Sequence, residues 1–327
     1  MKRSLLVLAL TCVAMAAGGY RLLKKYPLPG EGGWDYLTVD AAARRLYVSH
    51  GAQVQVVDLN SGAVLGSIPA QGAHGVALAP ESGRGFITNG TSDNVTVFDL
   101  KTLQVTGTLP TGKKPDAIVY DDATRRVLAN NGDGASSTVI DAADAKVSGT
   151  IELAGGPESS VADGKGFVFT NLEDKSEPVK IDAKAMKVVA RWRLAPCEAP
   201  SSLGIDRTTR CLFAGCRNHL MAMIDSDSGR VVQTAAIGDH VDATAFDAET
   251  KMIYFSNGDG TINIFHEDSE ERLTAMETVQ TQAGAKTMAL DPKTHQVFLS
   301  AADYAASEGK KGKALKPGSF GVLVFRQ

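Results

Sequence analysis

Several ingredients of common protein classes are scarce or missing in this sequence of 327 residues, and each shortage excludes something. Basic residues do not outnumber acidic ones: 34 Lys and Arg stand against 37 Asp and Glu, a formal net charge of −3. A protein that grips a phosphate backbone needs a basic face, so nucleic acid is not an expected partner. No apolar run is long enough to cross a bilayer as a stable helix. No segment carries a sustained 3.6-residue apolar stripe, which excludes helical bundles and βαβ architectures. Catalytic signatures such as G-x-S-x-G, H-E-x-x-H or a P-loop are missing. Cysteine is rare, with four residues, none in a C-x-x-C pair.

What is present begins with a targeting pattern. Lys2 and Arg3 precede an apolar stretch from Leu5 to Leu10, and Ala14-Met15-Ala16 supplies a small-x-small cleavage site. The residues before Cys12 fit a lipoprotein signal poorly. The expectation is cleavage after Ala16, a mature chain of residues 17–327, and a periplasmic or secreted location. Loss of the two cations Lys2 and Arg3 takes the net charge from −3 to −5. The remaining cysteines are Cys197, Cys211 and Cys216, an odd number in a compartment where disulfides persist.

Glycine is plentiful, at 33 residues, as many tight turns require. The turns follow a period. A hydrophobic stretch ends in Asn or His, as in Leu46-Tyr47-Val48-Ser49-His50, Gly85-Phe86-Ile87-Thr88-Asn89 and Tyr254-Phe255-Ser256-Asn257. A polar turn and an alternating strand follow, ending at Asp58, Asp99, Asp141, Asp182 and Asp225, with His266 in the sixth place. These positions lie 41, 42, 41, 43 and 41 residues apart. Each period holds four short strands, and four-stranded units repeated radially make a β-propeller. Six complete units start near Trp34, Gly75, Asp116, Glu158, Ser201 and Asp242. The seventh stops one strand short, and Arg21 to Leu28 can supply the missing strand and close the ring. The sequence therefore predicts an all-β, seven-bladed propeller. The recurring Asn and Asp are expected to be turn residues, the Asn tolerating left-handed backbone.

The stretches Phe86-Ile87-Thr88-Asn89, Val95-Thr96-Val97-Phe98-Asp99 and Gly107-Thr108-Leu109-Pro110-Thr111-Gly112-Lys113-Lys114-Pro115 resemble the YVTN-type propeller repeat. With its export pattern and single propeller, the chain resembles bacterial periplasmic YncE-like proteins over nearly all of its mature length. That resemblance implies the fold. Relatives among propellers bind DNA, proteins or cofactors, and more distant seven-bladed ones are lactonases, so it does not select a function.

Alignment of the innermost strands places Asp35, Gly75, Asp116, Glu158, Ser201, Asp242 and Lys286 at equivalent positions beside the channel mouth. Asp35, Asp116, Glu158 and Asp242 are candidate metal ligands, since converging carboxylates raise one another's pKa or hold a cation. Oxygen donors alone suit a hard divalent cation, and added histidine favours a transition metal. His50 and His219, from turns between strands, and His74 and His240, from loops leading into blades, fall on the same face. Solvated channel lining accounts for the same residues. Between Ala301 and Phe320 a long loop carries four lysines, which suits either a lid over the mouth or a solvated loop. Cys211 and Cys216 flank one strand about 17 Å apart at ~3.3 Å per residue, so Cys197–Cys216 is the expected bridge, with Cys211 reduced. The first functional expectation is a scaffold that binds an unidentified protein or small ligand through this face. The alternative is a metal-assisted hydrolase, lactonase or lyase using the acids and nearby histidine.

Overall fold

A computed structural model describes residues 19–304 and 315–327. The export pattern in residues 1–16 and most of the lysine-rich loop lie outside the described residues. The chain forms seven four-stranded antiparallel sheets. Six are continuous in sequence, covering residues 34–69, 73–110, 115–152, 157–191, 200–236 and 241–280 for blades 1 to 6. Blade 7 takes three strands from residues 288–326 and a fourth, Arg21–Pro27, from the other end of the chain. The borrowed strand pairs antiparallel with Gly321–Arg326. Innermost strands contact their neighbours all the way round, blade 7 to blade 1 included.

No single core holds the ring together. Seven hydrophobic clusters lie between blades, one for each interface. That is why the middle strands are apolar on both faces. Leu46-Tyr47-Val48 alternates between the interface with blade 7, which takes Leu46 and Val48, and the interface with blade 2, which takes Tyr47. The closing interface adds Tyr26 of the N-terminal strand and Leu28 just beyond it to Phe298, Phe320 and Val324 of blade 7.

The acids at the hairpin between third and fourth strands are turn residues, as expected. Oδ1 of Asp58 accepts from the amides of Asn60 and Ser61, and Asp99 and Asp225 repeat the arrangement. The Asn residues ending second strands are different. None has positive φ. Asn130 and Asn171 are fully buried and donate to carbonyls of the next blade, Glu158 O and Ser202 O. Asn89, Asn131 and Asn257 cross-link to hydroxyl or amide side chains of their own third strands. Turn statistics point the other way because the polar side chain looks the same in sequence; only the packing of blade on blade gives it a buried partner.

On the face opposite the channel mouth, blades are clasped by ion pairs. The turn after an innermost strand carries a cation that reaches the buried Asp ending the innermost strand of the preceding blade. Arg44–Asp291 lies at 2.7 Å and Lys251–Asp206 at 2.8 Å, and the His295 ring takes the equivalent place with a hydrogen bond to Asp247 at 2.6 Å. Burial alone would raise the Asp291 carboxyl, but hydrogen bonds from Thr294 and Arg44 outweigh it and hold it below its ordinary value. The Arg44 pair joins the first blade to the last. Arg44→Ala is expected to cost about 2 kcal/mol, below the ~3–5 kcal/mol of a fully broken buried pair, because Thr294 and the Lys293 amide still bond the carboxylate. The contribution of a depressed carboxyl is present above its unfolded pKa of 3.8 and lost as pH falls through the folded value. Denaturant midpoints of wild type and variant should therefore converge in acid.

Candidate functional site

Each innermost strand of blades 1 to 6 begins with a β-bulge. Register shifts between Trp34 and Leu37, Ala73 and Val76, Pro115 and Ile118, Pro157 and Ser160, Pro200 and Ser202, and Val241 and Ala243. Asp35, Gly75, Asp116, Glu158, Ser201 and Asp242 all sit inside these intervals. A bulge bends the strand and re-aims a side chain, here away from the blade interface and towards the axis. Hydrogen bonds from the preceding blade pin the bulges: the Thr88 hydroxyl donates to Asp116 O and the Asn130 amide to Glu158 O. Lys286 precedes the short strand Met288–Asp291, and its carbonyl accepts from the Ser256 hydroxyl at 2.5 Å.

The acids come from blades 1, 3, 4 and 6 and feel one another across the axis. Burial first, then Asp35, pushes the Asp116 carboxyl up to about 6, against the opposing pull of His74. Burial, followed by Asp116, Glu173 and Asp242, pushes Glu158 to about 8. One oxygen of Asp116 is buried with no hydrogen-bond partner among the described residues. Tyr36 joins the ring. It lies in the same bulge as Asp35 and is half-buried. Burial and then Asp116, Glu158, Asp35 and Asp242 raise its phenol well above the ordinary value.

His74 is the histidine that reaches the acids. Its Nδ1 hydrogen-bonds Asp35 and lies 3.4 Å from Asp116 Oδ1. The Asp35 hydrogen bond raises its pKa despite burial. One ligand atom from each of Asp35, His74 and Asp116 falls within 4.8 Å of the others. Lys286 pairs with Asp242 at 2.9 Å. Arg217, from the loop between second and third strands of blade 5, donates to Glu173 and adds positive charge near Glu158 and Asp242.

The other three histidines are elsewhere. His219 and His240 are exposed and lie 3.7 and 3.5 Å from Asp239, and neither bonds the four acids. His50 ends the second strand of blade 1 and is buried against Phe320. Each is on the expected face, but a loop position does not fix its distance from the axis. Tyr36 escaped the sequence reading because strict alternation points it away from Asp35; the bulge breaks the alternation and leaves two consecutive residues near the channel. Cys197 and Cys216 are joined in a disulfide with Cα atoms 5.7 Å apart, and Cys211 is buried and free. Among the described residues no helix is long and apolar enough to cross a membrane.

Seven four-stranded sheets in a closed ring, with polar groups gathered at one channel mouth, define a seven-bladed β-propeller. Many solved structures share the architecture, two of them as follows. The chain is 16% identical to a hydrazine synthase structure from Kuenenia stuttgartiensis, with 83% of this chain and 94% of that one covered and a TM-score of 0.69. It is 10% identical to U3-55K, with 93% and 98% covered and a TM-score of 0.76. At such identities the likeness is one of fold alone. No family model and no curated protein matches the sequence.

Proposed function

We propose that this protein is an exported, YncE-like propeller of the YVTN type that binds a divalent cation, or a ligand presented through one, at the acidic mouth of its channel. The observation that carries the reading is the convergence of Asp35, His74 and Asp116 within 4.8 Å. One nitrogen and two carboxylate donors suit zinc or manganese better than calcium, which takes six to eight oxygens. The raised pKa values of Asp116 and Glu158 fit the same reading, since burial and then the neighbouring carboxylates penalise a charge that a bound cation would offset. Lys286 and Arg217 offset only part of that charge.

The export pattern supports a periplasmic or secreted location, where the Cys197–Cys216 bridge would persist. Nucleic acid is a poor fit for a negatively charged mouth on a chain of net charge −3. A protein partner or small ligand would then dock on the loop face around the cation.

Elemental analysis and calorimetry of the purified protein test this. Zinc or manganese is expected to bind with a stoichiometry of about one. Its affinity should rise with pH through about 6, because Asp116 and His74 must release protons to become ligands. Absence of stoichiometric binding by either ion would remove the reading. A second reading, a metal-assisted hydrolase, lactonase or lyase, draws on Glu158, whose carboxyl, pushed to about 8, is still protonated at neutral pH and suited to general-acid work. It requires ester or lactone turnover that Glu158→Gln abolishes with the cation still bound.

A further inference from the structure

On the face opposite the channel mouth, the clasp between blades 2 and 3 is half built. Blade 3 supplies its cation. Arg125 ends the turn after the innermost strand, the place held by Arg44 in blade 1, Arg210 in blade 5 and Lys251 in blade 6. The backbone is set the same way at all four, with φ of 56° at Arg125 against 55°, 62° and 58° at the others. Arg44, Arg210 and Lys251 each lie within 3.8 Å of an Asp of the preceding blade. Blade 2 has no such acid, because Pro80 stands where the other blades carry Asp40, Asp121, Asp163, Asp206, Asp247 and Asp291. Arg125 is exposed and makes no ion pair among the described residues.

The side chain without an acid lines a cavity of about 100 Å3 at this junction. Glu81 and Ser82 form its blade 2 side, and Tyr120, Ala142 and Ala143 its blade 3 side. A second cation, the half-buried Arg84 of blade 2, completes the lining. Arg84 is held across the junction because its Nη1 donates to Ala143 O. Its Nε and Nη2 bond no protein group among the described residues. The Ser82 hydroxyl donates to Ala79 O at 3.0 Å, and the Glu81 carboxylate accepts from the Tyr120 hydroxyl at 2.9 Å. Two guanidinium groups against one carboxylate leave the lining with a single positive charge.

We propose that this cavity is a binding site for a small carboxylate, which takes the place at Arg125 that an Asp fills in the complete clasps and bonds Arg84 with its second oxygen. The planar fork of a guanidinium matches a carboxylate better than a spherical anion. Room for about three waters, at ~30 Å3 each, limits the ligand to two or three carbons. None of these residues belongs to the cation site proposed above, and the two sites lie on opposite faces.

Acetate is the probe, acetamide its uncharged isostere, and chloride the plain anion. Chelator-treated protein is used, so that no cation at the channel mouth contributes. Acetate should shift the Arg125 Nε–H resonance saturably, with half-saturation on the order of 10 mM. Acetamide and chloride should act at least about tenfold more weakly. Arg125→Gln identifies the resonance by its loss; it should fold and melt as wild type, yet lose saturation transfer to the acetate methyl group. Pro80→Asp supplies the missing acid from within the chain and should weaken acetate binding at least about tenfold. Three results would each overturn the proposal: no saturable shift, acetamide or chloride binding as tightly as acetate, or undiminished acetate binding in folded Arg125→Gln or Pro80→Asp protein.

Discussion

Tyr26→Ala is expected to lower the free energy of unfolding by about 3–5 kcal/mol, the largest effect of any single truncation considered. Tyr26 lies on the borrowed strand of blade 7 yet is 4% exposed, packed into the interface that closes the ring. Its hydroxyl donates to Leu59 O of blade 1 at 2.9 Å. A Cβ on Gly62 would fall 1.9 Å from the ring, so the hairpin of blade 1 is glycine where the tyrosine crosses it. One side chain thus joins both ends of the chain to the first blade. Removing it leaves a cavity at the closing interface and an unsatisfied carbonyl. Tyr26→Phe keeps the packing and should cost about 1 kcal/mol. Equilibrium denaturation of the three proteins checks both values. Equal losses for Ala and Phe would mean that the hydroxyl, and not the packing, carries the latch.

The double variant Asp116→Asn, Glu158→Gln is expected to bind the cation at least about 100-fold more weakly while unfolding at a higher temperature than wild type near pH 8. The two effects share one cause. A carboxyl whose folded pKa is raised holds its proton more tightly in the folded state. Its contribution is fully present below the unfolded value and is lost as pH rises through the folded one. For Glu158 the loss runs from 4.5 to about 8, and for Asp116 from 3.8 to about 6. Neutral amides have no such loss. In chelated protein the gain near pH 8 should be about 2 kcal/mol, well below full conversion of the shifts because the groups keep some solvent contact. Below pH 4 the advantage should vanish. A variant less stable than wild type at pH 8 would mean that the acids are structurally paired rather than held apart for a ligand. Melting curves across pH, with and without zinc, separate these outcomes.

Amino-acid order was a good guide wherever a property repeats. The period of about 42 residues follows from a physical need: one four-stranded unit cannot bury its faces alone, so each copy carries the same alternation and the same turns. Blade number, the Asx turns at Asp58, Asp99 and Asp225, and closure by Arg21–Pro27 were all legible for that reason. Asn130 and Asn171 were misread as turn residues because their partners, Glu158 O and Ser202 O, are about 30 residues away on another blade. The contact of His295 with Asp247 is likewise invisible to local pattern, since the two are 48 residues apart.

The candidate site divides along the same line. Its acids could be aligned from the repeat, since Asp35, Asp116, Glu158 and Asp242 occupy one position in four of the seven units. Their inward aim could not, because it comes from bulges, and a bulge is a mismatch in register between two strands that neither strand shows alone. Nor could the selection of His74 over His50, His219 and His240. Four histidines share a face, but distance from the axis depends on how the loops pack. The order of residues alone dictates the propeller and the face on which polar groups collect, because both arise from periodic burial. Which of those groups touch, and which are left with an unpaired buried atom, was decided only when seven blades closed around a common axis.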